Sequence, residues 1–196
     1  MRPIPLLAAG LLATAMLAAS PARATEEPAY TVIAELPATV EVREYAPMLV
    51  AEIEVELADV VRAGKTGFES LAAYIAGANE RHERIDQTAP IMQTAHGDGW
   101  VVGLPMPARY VVTTLPRPTD LRLRFVEIPR RSVAVIRFGG RWNPIRHAEH
   151  WRILQREFGK AGWTATGAPI AAQYNPSWVP GPLRRNEVLV PVRRIR

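Results

Sequence analysis

Alternating apolar and polar residues run through much of the chain and predict a protein rich in β-strands. Residues 40–45 alternate in this way, and residues 48–57 place glutamates on one side and aliphatic residues on the other. Such alternation is typical of strands with one buried and one exposed face. Further strands are predicted at residues 30–34, 88–93, 100–106, 121–128, 132–138, 170–174 and 187–192.

Two segments have helical spacing instead. Thr66 and Glu69 have the spacing of a capping box, which predicts the start of a first helix that continues to Ile75. Asn143 and Pro144 suit the N-cap and first position of a second helix. The apolar stripe of that helix consists of His147, Trp151, Leu154 and Phe158.

A faint internal repeat organises these elements. Two strands, a helix and two strands occur in the first half of the chain, and the same order returns in the second half. We therefore expect an α+β protein with pseudo-duplicated β-β-α-β-β halves. The two halves would form a mostly antiparallel, barrel-like sheet with two helices packed outside it.

The first 24 residues have the features of a secretory leader. Arg2 supplies a positive start, an apolar run follows, and Ala22-Arg23-Ala24 fits the small-x-small rule for cleavage before Thr25. The apolar run is shorter than the ~20 residues that span a membrane. We expect residues 1–24 to be removed and residues 25–196 to form a single periplasmic or secreted domain without stable membrane insertion.

Composition excludes several kinds of chemistry. The chain has no cysteine, which rules out disulfides, iron–sulfur and zinc-thiolate sites, cysteine nucleophiles and covalent c-type haem attachment. The formal net charge is only +5, and no long basic run is present. We therefore expect no nucleic-acid partner. A modest positive charge is compatible with a small anionic ligand.

No catalytic residues are expected. The H-E-x-x-H, G-x-S-x-G, P-loop and G-x-G-x-x-G motifs are all missing from the sequence. His147 and His150 have a spacing that can chelate a metal on one side of a helix. His147 also lies on the apolar stripe, where a buried structural histidine is the commoner outcome. We therefore predict no metal site.

Several stretches resemble the SOUL haem-binding family. They read FESLAAYIAGAN at residues 68–79, IDQTAPI at 85–91, PMP at 105–107 and YNPSWVPGPLRRNEV at 174–188. The resemblance implies a distorted antiparallel barrel with two helices and non-covalent binding of haem and possibly other porphyrins. One departure is Gln87, where the family usually has methionine.

The resemblance also implies where the ligand binds. It indicates an apolar groove between the first helix and the loop that joins the last two strands. Here the groove residues are Leu71, Tyr74, Ile75, Ala78, Trp178, Val179 and Leu183. Arg81 and Arg184 are candidates to pair with the propionates. The preferred axial ligand is His82, and the alternatives are water, Tyr74 or no ligand on the iron.

The sequence thus predicts a protein that binds a tetrapyrrole for carriage, buffering or scavenging. The sequence does not identify a protein partner. A second hypothesis is a sensor module of the same fold that binds another amphipathic small molecule or a protein. A third is an enzyme that uses a pocket at the barrel mouth. The alternative to a ligand-binding groove is a purely structural role, in which the first helix packs beneath the Trp178 loop without a ligand.

Overall fold

A computed structural model describes residues 25–176 and 178–195; the predicted leader lies outside the described residues. The strands are β1 Tyr30–Leu36, β2 Val40–Tyr45, β3 Met48–Val55, β4 Ile91–His96, β5 Gly99–Pro105, β6 Arg124–Ile128, β7 Arg131–Gly139, β8 Trp163–Ala165, β9 Ile170–Gln173 and β10 Arg185–Arg194. The two helices are α1 Val60–Ile75 and α2 Pro144–Lys160. None of the helices in this described part is long and apolar enough to cross a membrane.

The strands form one curled sheet whose order reveals the internal repeat. The order is β1-β2-β7-β10-β9-β4-β5-β3-β6, and β8 pairs with β10. From β2 to β6 this order is symmetric, and β1 has no counterpart. Exchanging β2 with β6, β3 with β7, β4 with β9 and β5 with β10 gives the same order in reverse, with the same neighbours paired. All strand pairings are antiparallel. The expected α+β fold with duplicated halves and two helices is therefore confirmed.

The two halves meet along one long antiparallel pair. β2 pairs with β7 from Val40 opposite Ile136 to Tyr45 opposite Arg131, and β3 pairs with β6 in the same continuous register. The segments 46–47 and 129–130, each containing a proline, lie opposite one another between these pairings. Proline lacks an N–H donor, so each strand bends here instead of continuing the ladder. The turn predicted at residues 46–47 is such a bend.

The start of the first helix was predicted wrongly. Helix α1 begins at Val60, and Asp59 caps it by accepting a hydrogen bond from the backbone N–H of Arg62. Asp59 satisfies an N-terminal donor, as Thr66 was expected to do about two turns later. For α2 the prediction is confirmed, because the Asn143 side chain accepts from the N–H of Arg146 and Pro144 is the first helical residue.

The helices cover one face of the sheet and leave the other to a third cluster. Leu71 of α1 packs among the buried residues of β3 and β5. Leu154 of α2 packs among those of β2, β7 and β10. The opposite face, which we call the inner face, carries a separate buried cluster from β2, β7, β9 and β10. Its members are Tyr45, Val133, Val135, Ile170, Ala172 and Leu189.

Candidate ligand-binding sites

The helical wall of the expected groove lies inside the core. Leu71 is fully buried, Tyr74 is 1% exposed and Ile75 is also buried, all within the cluster between α1 and the sheet. The Tyr74 hydroxyl donates a 3.0 Å hydrogen bond to the carbonyl of Pro116. These three side chains pack against the sheet, although Tyr74 also borders a small cavity, and their role in haem binding stays a prediction. Ala78 lies at the same cavity, which has a volume of about 320 Å³.

The loop wall of that groove is exposed and packs elsewhere. Trp178 is 80% exposed, Leu183 is 73% exposed and Val179 is half-buried. A 3-10 turn at Gly181–Leu183 lies against the end of β7. The two predicted walls therefore occupy different environments, a packed interior and a solvent-exposed loop.

The predicted rim residues already have partners within the chain. Arg81 donates to the carbonyl of Thr114 and lies 3.6 Å from a Glu83 carboxylate oxygen. Arg184 donates through Nε to the carbonyl of Val179, 2.7 Å away. His82 is exposed and has a positive φ of 50° in the turn after α1. Both arginines thus have contacts within the chain, and His82 lies outside the buried cluster; the roles assigned to them stay predictions.

A large cleft lies instead where the two bends meet, and we call it the end cleft. Its volume is about 870 Å³. It is bordered by residues 26–29, the bends at 46–47 and 129–130, and the connection at 105–111. Five prolines contribute to its wall: Pro28, Pro47, Pro105, Pro107 and Pro129. Proline fixes its own φ angle, so much of this wall is conformationally restricted.

Hydrogen bonds tie the segments of the end cleft together. The Met106 N–H donates to the carbonyl of Leu49 over 2.7 Å, and the Ala46 N–H donates to the carbonyl of Ala29 over 3.0 Å. A carboxylate oxygen of Glu26 accepts from the Ala108 N–H at 2.6 Å. Four chain segments are therefore fixed around one cavity. The cleft was missed at the sequence level because these segments are far apart along the chain, although the cluster of prolines at residues 105–107 was visible.

The end cleft is apolar with an acidic rim. Met48, Met106 and Tyr110 line it, and the Tyr110 hydroxyl donates to Glu83 over 2.7 Å. The rim carboxylates are Glu26, Glu27 and Glu127. Within the described lining, Arg130 is the one basic side chain, and it pairs with Glu44 at 3.0 Å. Histidine is absent from that described lining.

The motif stretches hold loops and strands in place. Asn79 is fully buried; its carbonyl oxygen accepts from the N–H groups of Arg81 and Glu83, and its amide donates to the carbonyl of Tyr74. Asn186 donates to the carbonyl of Gly140 at 2.8 Å. Both asparagines thus satisfy buried backbone groups. Their place in the motif is explained by structure and needs no ligand.

A buried ionic cluster occupies part of the inner face. The Glu187 carboxylate has no exposed side-chain area and lies 2.9 Å from Arg43 and 3.0 Å from Arg185. It also accepts a 2.7 Å hydrogen bond from Tyr174. Burial, together with the neighbouring Glu187 charge, raises the pKa of the Tyr174 hydroxyl well above its usual range. Burial also raises the pKa of Tyr45 to about 12. Both phenols therefore stay protonated near neutral pH; Tyr174 donates to Glu187, whereas the Tyr45 oxygen accepts from Arg43.

The two histidines of the H-x-x-H pair in α2 lie among packed side chains. Burial, followed by the neighbouring His150, lowers the pKa of His147. The His150 ring stacks on Phe138 with centroids 4.2 Å apart, and its Nδ1 is 2.7 Å from the carbonyl of Arg146. Across residues 25–176 and 178–195, no three histidine or carboxylate groups converge as a metal site would require. The arrangement gives the H-x-x-H pair a packing role.

Comparison with known proteins agrees on the fold and the family. The EcmrR C-terminal domain matches with a TM-score of 0.58 and 14% identity, over 80% of this chain and 98% of that one. A hydrolase from Listeria innocua matches with a TM-score of 0.53 and 14% identity, over 79% and 91% of the respective chains. At such low identity these likenesses show the fold alone, and a search of curated proteins found no match. A family model for the SOUL heme-binding protein matches residues 25–191, so this chain belongs to the SOUL haem-binding family.

Proposed function

We propose that this chain is an exported, non-catalytic protein that binds haem or another tetrapyrrole for carriage, buffering or scavenging, and that the macrocycle enters the end cleft. The observation that carries the proposal is the size and apolar lining of this cleft in a member of a haem-binding family. Its volume of about 870 Å³ exceeds those of the other described cavities, which are about 270, 320 and 340 Å³. Ligand pockets commonly span roughly 300–1,000 Å³.

Apolar contact provides most of the binding in this proposal. Removing a macrocycle face from water stabilises the complex by about 25 cal/mol per Å² of apolar area. Met48, Met106 and Tyr110 carry side-chain atoms of types that coordinate haem iron in other proteins. These three residues are the candidates for iron ligation within the cleft, and packing without any protein ligand is the alternative.

The charge of the rim gives the proposal a distinctive consequence. Three carboxylates lie at the mouth, Glu27 is paired with Arg185, and the one lining arginine, Arg130, is paired with Glu44, so the described lining offers propionates no unpaired cation. We expect the propionates to point to solvent. Haem dimethyl ester, which lacks both negative charges, should then bind at least as tightly as haem in the same absorbance titration. An ester that binds tenfold more weakly would contradict a cleft with an acidic rim.

Two matched substitutions locate the macrocycle. Ala108 is exposed at the cleft border, so Ala108→Trp should obstruct entry without disturbing the core. We expect it to weaken haem binding at least tenfold in a Soret titration. Trp178→Ala, on the exposed loop, is the control and should change affinity less than twofold. Equal affinity of Ala108→Trp and the unsubstituted protein would exclude the end cleft.

The Trp178 loop remains the second candidate site, because it exposes Trp178 and Leu183 to solvent. In that arrangement Trp178→Ala would weaken binding more than Ala108→Trp. His82→Ala would also shift the ferric Soret band if His82 coordinated the iron there. With the macrocycle in the end cleft, we expect His82→Ala to leave the spectrum unchanged. Absence of any Soret change on titration would instead favour a module of this fold that binds a non-haem ligand.

Export is a separate part of the proposal. Mass spectrometry of protein recovered from the native host should give an amino terminus at Thr25, in the periplasm or medium. A retained Met1 would contradict removal of the leader. This test is independent of haem binding, so either part of the proposal can fail alone.

A further inference from the structure

A small pocket on the inner face contains an arginine with no described partner. The pocket has a volume of about 270 Å³ and receives residues from both halves of the repeat. They include Glu52, Met92, Ile128, Arg131, Ile170 and Pro191. We call this cavity the inner-face pocket. It is distinct from the end cleft, although Ile128 borders both.

Arg131 enters this pocket with an unsatisfied donor. Its Nε is buried and makes no hydrogen bond to any described atom. No hydrogen bond or ion pair is formed by the rest of its guanidinium with the described residues either. Burial lowers the pKa of this guanidinium, which is the sign of a desolvated cation. Buried donors are nearly always paired in native proteins, so this one needs an explanation.

The carboxylate of Glu52 attracts Arg131 electrostatically but does not pair with it. Glu52 lines the pocket, but its carboxylate is 3.5 Å from the Nε of Arg124. It makes no ion pair with Arg131 within 4.0 Å in the described part of the chain. His96, the other ionisable residue at the pocket, is 3.8 Å from Glu54. Arg131 is therefore the group in the pocket that an added anion would satisfy.

The internal repeat shows that the fold does not require a cation here. Arg131 begins β7 opposite Tyr45, the last residue of β2. At the equivalent place in the other half, Met48 begins β3 opposite Ile128, the last residue of β6. The same backbone position therefore accepts an apolar thioether. A guanidinium at this position needs a reason other than the packing of the sheet.

We propose that the inner-face pocket binds a small amphipathic anion, whose carboxylate pairs with Arg131 and whose apolar body packs on Met92, Ile170 and Pro191. A carboxylate accepts two parallel hydrogen bonds from a guanidinium, which neutral ligands cannot reproduce. The cavity holds a short acyl chain or a single ring but not a tetrapyrrole. This function goes beyond haem binding and uses a different cavity.

The test compares octanoate with octanol, which share an apolar body and differ in charge. Methyl-labelled methionines report each site separately in NMR spectra, because Met92 lines the inner-face pocket and Met106 lines the end cleft. We expect octanoate to shift the Met92 signal saturably, with at least tenfold higher affinity than octanol. The Met106 signal should stay in place.

Substitutions make the test specific for Arg131. Arg131→Met copies the equivalent Met48 and should weaken octanoate binding at least tenfold while leaving octanol binding unchanged. Arg137→Met, an exposed change on the same strand, is the control and should bind octanoate normally. Arg131→Lys should retain part of the affinity for octanoate. The comparison of octanoate with octanol uses the unsubstituted protein, so it tests the proposal even if an Arg131 variant fails to fold. Equal affinities for the two probes, an unaffected Arg131→Met protein, or a shift at Met106 instead of Met92 would overturn the proposal.

Discussion

The two halves of the repeat share one backbone plan but fill the inner face differently. Arg43 of the first half and Glu187 of the second form a buried ion pair with two parallel contacts of 2.9 and 3.2 Å. When the halves are exchanged, the equivalent positions are Val126 of the second half and Val101 of the first. One fold therefore accommodates either a charged pair or two valines at the same place in the sheet.

Strand register establishes this equivalence. Arg43 pairs with Val133 of β7, whereas Val126 pairs with Val50 of β3, the counterpart of β7. In the same way Glu187 lies opposite Arg137 in the β10–β7 pair. Val101 lies opposite Glu54 in the β5–β3 pair.

The comparison teaches that the ionic cluster is not what folds the sheet. A buried ion pair must offset the desolvation of both charges, and replacing it with apolar residues is often neutral or stabilising. Removing only one partner is different, because the other charge stays buried without compensation. The predictions below separate these two situations and then compare smaller features of the two halves.

The largest effect is expected for Glu187→Val, which copies Val101 at one position only. It removes the buried carboxylate that pairs with Arg43 and one of the two carboxylates that Arg185 contacts. The free energy of unfolding should therefore fall by about 3–5 kcal/mol. Urea denaturation measures this loss. Glu41→Gln, at a carboxylate that is 37% exposed and also pairs with Arg43, should cost no more than about 1 kcal/mol. If Glu187→Val also lowered the free energy of unfolding by less than about 1 kcal/mol, the buried charges would have to be solvated.

The double substitution Arg43→Val with Glu187→Val should recover part of that stability. It removes both members of the pair and copies the valines at the two equivalent positions, while Arg185 keeps its contact with Glu27 at 2.9 Å. We expect the double variant to be more stable than Glu187→Val alone, by about 1–3 kcal/mol on the scale of measured couplings. A double variant less stable than the single one would break the analogy between the halves.

Helix caps provide a comparison in which the halves should behave alike. Asp59 caps α1 and Asn143 caps α2 through the same hydrogen bond to the third following N–H. Asp59→Ala and Asn143→Ala should therefore each lower unfolding free energy by about 0.5–2 kcal/mol. Glu149→Ala, at an exposed site on α2, is the control and should stay within about 0.5 kcal/mol. Unequal cap effects would show that one helix is stabilised mainly by packing.

The smallest effect is a pH dependence confined to the half that contains α2. Burial lowers the pKa of His147, so the unfolded chain binds a proton more readily than the folded one. Stability is then lost as pH falls below the ordinary histidine pKa of about 6.5, by less than ~1.4 kcal/mol per pH unit. Hydrogen exchange at pH 5 should accelerate in α2 before α1. His147→Phe should remove this difference between the helices. If stability still fell with pH as steeply in His147→Phe, the pH dependence would belong to another group.

The sequence predicted the elements well because its local patterns are strong. The alternation in residues 40–45 coincides with β2, and Asn143 with Pro144 marks the start of α2 as observed. The start of α1 was misjudged, since Thr66 and Glu69 imitate a cap inside a helix that Asp59 begins. Local spacing cannot distinguish two acceptable caps when tertiary packing selects between them.

The candidate sites depend on contacts between distant parts of the chain, so the site residues named from the sequence stay predictions. Leu71 and Tyr74 have the spacing of a helix face, but spacing does not say whether that face meets a ligand or a sheet. The end cleft joins four segments separated along the chain, and the inner-face pocket draws on strands from both halves. No pattern in the sequence distinguishes Arg131 from other polar residues near strand starts, because the burial of its unpaired Nε depends on the tertiary structure.

By itself, the sequence determined that this protein is an α+β chain with a repeated β-β-α-β-β order and the motifs of a haem-binding family. Those properties follow from the period of apolar residues and from short contiguous stretches, which local physics governs. Only the tertiary structure decided three features: the symmetric order of the strands in the sheet, the position of the two proline-containing bends opposite one another, and the location of both cavities. These depend on how strands far apart in the chain pair, and a pattern within any one segment does not specify its partner.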